Sequence, residues 1–191
     1  MLTLIFDIDG TLTDMWPIER AVLSELIQPG QLPLLDSLKR QGVNNLYNLY
    51  CQTTKTRVGR LVFRVFYSRN FETLREDDAL PMVQGYPCVN FIRQNGTNFG
   101  YVYATGGLKA EAEYVLECLG ILELFNLEVS TSKDNYKFSK ATGRPFAKTK
   151  RQVGECYLIT DSQQDVDGAE KAGVPSILIS KGQIFYGSDL Q

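Results

Sequence analysis

Hydrophobic and polar positions change rhythm twice along this chain. Leu2 to Phe6 is an apolar run broken only by Thr3, too short for a helix and suited to a strand buried on both faces of a parallel sheet. From residue 15 to 84 the rhythm is helical. Trp16 to Ile27 has apolar residues at 18, 22, 23, 26 and 27 and is stopped by Pro29-Gly30, and Leu32 to Arg40 forms a second helix stopped by Gly42. Positions 58, 61, 62, 65 and 66 give a further amphipathic helix, with Arg57, Arg60 and Arg64 on its other side.

From residue 88 helix and strand alternate. Helices are expected over Cys88 to Gln94, Gly107 to Leu119, Pro145 to Val153 and Val166 to Ala172. Strands are expected over Phe99 to Ala104, Leu127 to Ser130, Cys156 to Thr160 and Ser176 to Ser180, with a frayed tail from Tyr186 to Gln191. This alternation predicts an α/β fold with a doubly wound parallel sheet. The expected division is a core of residues 1–14 and 85–191 with an inserted all-helical unit over 15–84.

Composition narrows the chemistry. The 191 residues include no histidine, which excludes His-based general-base catalysis, Ser-His-Asp chemistry and most zinc sites. Catalysis must then use carboxylates, amines, hydroxyls or a metal. A net charge of −2 gives no reason to invoke nucleic acid or an anionic membrane. Cys51, Cys88, Cys118 and Cys156 form no Cys-x-x-Cys pair and read as reduced core thiols of an intracellular protein. A first strand at residue 2 leaves no room for a targeting leader. No apolar stretch reaches the roughly 18 residues of a membrane span, so a cytoplasmic location is expected.

Three predicted strand ends carry polar residues that can meet in the crevice where open parallel sheets bind ligands. Asp7 and Asp9 follow the first strand and precede Gly10, a residue suited to a sharp turn. At roughly 6.5 Å apart in extended backbone, two such carboxylates repel by about 3 kcal/mol, so one takes a proton or a cation lies near both. The plainer alternative is a solvated Asp-Gly turn. Thr105, before Gly106-Gly107 and a helix, offers a hydroxyl beside exposed N–H groups for a phosphate, or is simply an N-cap. Asp161 and Asp165 end the strand Cys156 to Thr160, where either can instead open a helix. Together the carboxylates would need a divalent cation, and all-oxygen ligation favours Mg²⁺.

These segments resemble the haloacid dehalogenase superfamily. Asp7-Ile8-Asp9-Gly10-Thr11-Leu12-Thr13 is similar to its first motif, Asp-x-Asp-Gly-Thr-Leu, and Thr105 to its second. Thr160-Asp161-Ser162-Gln163-Gln164-Asp165 resembles the acidic fourth, Gly-Asp-x-x-x-Asp, with Thr160 in place of the usual glycine. The helical insertion resembles the cap of the phosphoglycolate phosphatase and β-phosphoglucomutase branch. The third motif supplies a lysine. Lys140-Ala141-Thr142-Gly143-Arg144-Pro145-Phe146 matches Lys-Pro-x-Pro-Asp-Pro-Phe at its first and last two positions, which favours Lys140, with Lys148 and Arg144 as alternatives.

The resemblance implies a Mg²⁺-dependent phosphatase for a small phosphorylated metabolite. Asp7 would form an aspartyl phosphate and Asp9 would act as general acid and base. Thr105, Gly106 and Lys140 would hold the phosphoryl oxygens. Asp7, Asp9 through its carbonyl, and Asp161 would ligate the metal, with Asp165 slightly further out. The superfamily's dehalogenases need no acid and lack the second aspartate, so Asp9 favours phosphoryl chemistry. A phosphomutase uses the same groups. A different class of reading is a binding protein. Residues 39–75 carry eight Lys or Arg against the single acid Glu72, interleaved with Tyr47, Tyr50, Phe63, Phe66, Tyr67 and Phe71. Such a stretch suits nucleic acid, an acidic partner, an anionic substrate, or only solvent beside a packed core.

Overall fold

A computed structural model describes residues 1–180. The chain forms two compact units, Met1–Met15 together with the chain from Val83 onward, and Trp16–Met82. The elements in order are β1 (Thr3–Phe6), α1 (Trp16–Ser24), α2 (Leu32–Arg40), α3 (Leu46–Thr54), α4 (Arg60–Glu76), α5 (Pro87–Gln94), β2 (Gly100–Tyr103), α6 (Lys109–Cys118), α7 (Arg144–Val153), β3 (Cys156–Thr160), α8 (Gln163–Lys171) and β4 (Ser176–Leu178).

All four strands run parallel in the order β2-β1-β3-β4, which puts β1 in the interior of the sheet and explains its unbroken apolar run. Leu4, Ile5 and Phe6 are fully buried. Ile5 faces a cluster with Val102, Leu158, Phe146 of α7 and Ala169 of α8. Phe6, on the alternate face, packs against Tyr101 and Phe125 with ring centroids 6.3 and 6.4 Å away. Each such side chain contributes on the order of 2 kcal/mol by leaving water. A sheet covered on both faces is the doubly wound arrangement.

The expected strand over 127–130 is absent. Asn126 takes its place with a turn: its Oδ1 accepts from the N–H groups of Glu128 and Val129, and its carbonyl accepts from Ser130. A local side-chain turn thus outcompetes the ladder, leaving only single bridges from Phe125 and Thr131 to Tyr101 and Ala104. α1 stops at Ser24, three residues short of expectation, where the Ser24 hydroxyl donates to the Ala21 carbonyl. The expected tail over 186–191 lies outside the described residues.

In the helical unit the sequence reading finds α4 but chooses the wrong face. Phe63, Tyr67 and Phe71, four residues apart, are its buried stripe, while Leu61, Val62, Val65 and Phe66 are exposed. Tyr47 and Tyr50 pack on Phe63 at 5.8 and 5.2 Å. Tyr67 also lies on Phe63 at 5.8 Å, so the buried face is the one whose rings gather into an aromatic cluster. Of the aromatics interleaved with the basic residues, Tyr47, Tyr50, Phe63 and Tyr67 pack on one another within the helical unit, whereas Phe66 is exposed. Among the described residues no helix is long and apolar enough to cross a membrane.

Candidate active site

β1 ends at Phe6, and the next side chain, Asp7, is buried at the carboxyl end of the sheet, its N–H bonded to the Ile159 carbonyl at 3.1 Å. The chain then coils tightly. The Ile8 carbonyl accepts from Thr11, Leu12 and Thr13, and Gly10 adopts φ +80° while donating to Thr13. A Cβ on Gly10 would lie 1.9 Å from Asp161 Oδ2, so glycine here answers both to the positive φ and to the closeness of Asp161. Thr11 completes this junction. Its hydroxyl accepts the Asp161 N–H at 3.1 Å and donates to Asp161 Oδ1 at 3.5 Å.

The two aspartates of the opening motif have different surroundings. Asp7 Oδ1 accepts from the Ile8 N–H at 2.9 Å and lies 2.7 Å from Lys140 Nζ. Asp9 is exposed, and its Oδ1 accepts the Met15 N–H at 2.9 Å. Because regular strand geometry stops at Phe6, the extended-chain spacing expected for the pair does not describe them.

Lys140 is the lysine brought to Asp7. Its Nζ also pairs with Asp165 Oδ2, so one ammonium is held between two buried carboxylates. The alternatives lie elsewhere, with Lys148 Nζ over the Tyr136 ring at 5.3 Å and the Arg144 guanidinium over Phe138 at 4.2 Å. Burial alone would pull the Lys140 amine down. The charges of Asp7 and Asp165 and the hydrogen bonds to them outweigh it, and the ammonium is held above its ordinary range. Burial pushes the Asp7 carboxyl up and Asp165 adds to that rise, against the lowering effect of Lys140 and the Ile8 N–H.

Sequence reasoning missed how Lys140 is held in place. Lys140–Thr142 forms a short 3₁₀ turn ended by Gly143 at φ +74°. A Cβ on Gly168 would fall 2.2 Å from the Lys140 carbonyl oxygen, and one on Gly143 would fall 2.5 Å from the Gly168 carbonyl oxygen. Two glycines therefore let the turn lie directly on α8, the helix that carries Asp165. The Lys171 ammonium donates to the Ala141 carbonyl at 3.0 Å. The available signal is Gly168 inside a predicted helix, where glycine is unfavourable and lets another backbone come close. Gly168→Ala is expected to lower stability by about 2 kcal/mol and to displace Lys140 from Asp7, measured by urea denaturation and by loss of turnover in the folded protein.

Thr105 follows β2 immediately after Ala104, whose N–H bonds to the Phe6 carbonyl at 2.9 Å, so Thr105 and Asp7 leave adjacent strands at nearly the same level. Its hydroxyl accepts from Gly107 N–H at 3.0 Å, and Gly106 between them is exposed. Thr105 is not the helix cap. α6 begins at Lys109 after Leu108, whose N–H is taken by the Glu111 carboxylate at 2.8 Å. Asp161 is not a cap either, because Ser162 fills that role for α8 by accepting from the Asp165 N–H.

The carboxylates suggested as metal ligands are not gathered into one cluster. Among the described residues no three acidic, cysteine or histidine side chains stand close enough to hold an ion. Asp165 is engaged with Lys140 and Thr160, and Asp9 with Met15. Asp7 and Asp161 follow the ends of β1 and β3, which are adjacent in the sheet. A hard oxygen pair of this kind fits Mg²⁺, which commonly takes one or two protein carboxylates and completes its shell with water and substrate phosphate.

The haloacid dehalogenase-like hydrolase family model matches residues 1–173. The chain belongs to that family. No curated protein matches it in sequence. Solved structures of similar fold include a Lactobacillus plantarum protein assigned as a phosphoglycolate phosphatase, 20% identical with TM-score 0.65, covering 99% of this chain and 90% of that one. A Thermotoga maritima protein assigned as a β-phosphoglucomutase is 16% identical with TM-score 0.61, covering 100% and 90%. The Bacillus subtilis hydrolase YfnB, solved bound to magnesium, is 16% identical with TM-score 0.66, covering 93% and 86%. These likenesses show that the chain shares the fold of those proteins.

Proposed function

We propose that this hydrolase is a Mg²⁺-dependent phosphatase that releases phosphate from a small phosphorylated metabolite in the cytoplasm. The observation that carries the reading is the buried carboxylate of Asp7 at the central strand end, paired with Lys140 at 2.7 Å and flanked by Thr105 and Asp161 on the neighbouring strand ends. A buried acid beside a fixed ammonium suits a nucleophile that must meet a phosphoryl dianion. Four free cysteines agree with a reducing compartment.

In this mechanism an Asp7 carboxylate oxygen bonds to phosphorus as the ester oxygen leaves, and exposed Asp9 gives that oxygen its proton. Asp9 then takes a proton from water, which attacks phosphorus and returns Asp7 to the carboxylate. Lys140, the Thr105 hydroxyl and the Gly106 N–H hold the phosphoryl oxygens, while Asp165 holds Lys140. Asp7, Asp161 and the Asp9 carbonyl would ligate Mg²⁺, which when bound lowers the repulsion between nucleophile and phosphate.

Phosphate release should be measured on a panel of phosphorylated metabolites and p-nitrophenyl phosphate, with Mg²⁺ or with chelator. Release is expected with Mg²⁺, falling at least about 100-fold with chelator and returning when Mg²⁺ is restored. No release from any ester would overturn the reading. Transfer between positions of a sugar phosphate without release would replace it with a mutase.

A further inference from the structure

The residue preceding Asp161 departs from the motif that the chain otherwise resembles, and its surroundings give the departure a physical content. Thr160 is fully buried at the end of β3, beside β1. Its hydroxyl oxygen lies 3.4 Å from Asp7 Oδ2 and 3.4 Å from Asp165 Oδ2, and it accepts the Ser162 N–H at 3.1 Å. A threonine hydroxyl has one proton to give. With the Ser162 N–H on its oxygen, that proton goes to one carboxylate or the other.

Asp7 is then gripped at both oxygens. Oδ1 accepts from the Ile8 N–H and Lys140, and Oδ2 faces Thr160. The terminal torsion of an aspartate is soft, so contacts at one oxygen alone leave its plane free to swing, while contacts at both fix it. Asp165 offers the hydroxyl a second acceptor at the same distance. When Asp7 carries a phosphoryl group and becomes a poorer acceptor, rotation about the Thr160 Cβ–Oγ bond is enough to move the proton to Asp165. No heavy atom has to move.

We propose that Thr160 is a positioning residue for the nucleophile, its hydroxyl setting the plane of the Asp7 carboxylate and turning to Asp165 in the phosphorylated state. This deepens the phosphatase reading and rests on it. The effect is expected in the chemical step rather than in substrate affinity, because Thr160 acts through Asp7 on the reacting geometry.

The test compares Thr160→Val, Thr160→Ser and Asp7→Asn with the parent protein, reading kcat and KM separately on p-nitrophenyl phosphate with Mg²⁺, and thermal midpoints for folding. Thr160→Val, which keeps the shape and removes the hydroxyl, is expected to lose at least about tenfold in kcat with KM within about twofold. Thr160→Ser is expected to recover most of it. Parent-like kcat in the valine protein would overturn the proposal, as would equal losses in both variants or a change confined to KM. If the valine protein does not fold, Thr160→Gly is read in its place against the serine variant by the same criteria. The Asp7→Asn protein separates the two levels. Activity in it removes the phosphatase reading itself, whereas an inactive Asp7→Asn beside a parent-like Thr160→Val removes only the role of Thr160.

Discussion

Replacing Lys140 with methionine is expected to lower kcat by about 10²–10³-fold and to cost about 3 kcal/mol of stability near neutral pH. The kinetic loss follows from removing a fixed positive group from the place where phosphoryl charge is held. The stability loss follows from what remains. Asp7 and Asp165 both lose the ammonium that lies between them, and a buried ion pair broken on one side leaves uncompensated charge. The pH profile should carry the same mark. Burial already raises the Asp7 carboxyl, with Asp165 adding to the rise and Lys140 opposing it, so removing Lys140 raises it further. A carboxyl raised in the folded state binds its proton more tightly there than in the unfolded chain, so the variant loses stability as pH rises through that range. Urea denaturation in chelator should find the deficit smallest in acid and largest at neutral pH. A parent-like profile with parent-like kcat would mean that Lys140 does neither job.

The parts of this molecule legible in the sequence are those set by local pattern. β1 is readable because an interior strand of a parallel sheet must be apolar on both faces, and Leu4, Ile5 and Phe6 meet that demand. β3 is readable to the residue, since Cys156 to Thr160 is bounded by Gly154 and by the capping Ser162. The order of Asp7, Thr105 and Asp161 along the chain is visible as well, because each sits where an apolar run ends.

What was not legible depends on competition between comparable options or on contacts between distant segments. Two overlapping stripes run along α4, and the one that turns inward is the one whose Phe63 meets Tyr47 and Tyr50 of α3. The stretch at Leu127 has strand-like composition, but the Asn126 side chain satisfies its amides locally. Lys140, Arg144 and Lys148 are close in sequence, and the choice among them is made by Gly143 and Gly168, which let one turn sit on α8. The separate settings of Asp7 and Asp9 arise because the strand stops between Phe6 and Asp7. Thr160 departs from the motif as a letter, and only the fold brings its hydroxyl between two carboxylates.

The central claim is that Asp7 attacks phosphorus, and asparagine at this position tests it with little change of shape. The amide oxygen still accepts the Ile8 N–H, so the turn after β1 is kept, but the group is a far weaker nucleophile and no longer carries charge toward Lys140. Removing a covalent nucleophile leaves only what positioning and electrostatics supply, so the loss should be large even in a folded protein. The deciding measurement is p-nitrophenyl phosphate hydrolysis with Mg²⁺ by the Asp7→Asn protein beside the parent. A loss of at least about a thousandfold at an unchanged fold is the expected result, and turnover equal to that of the parent would contradict the account.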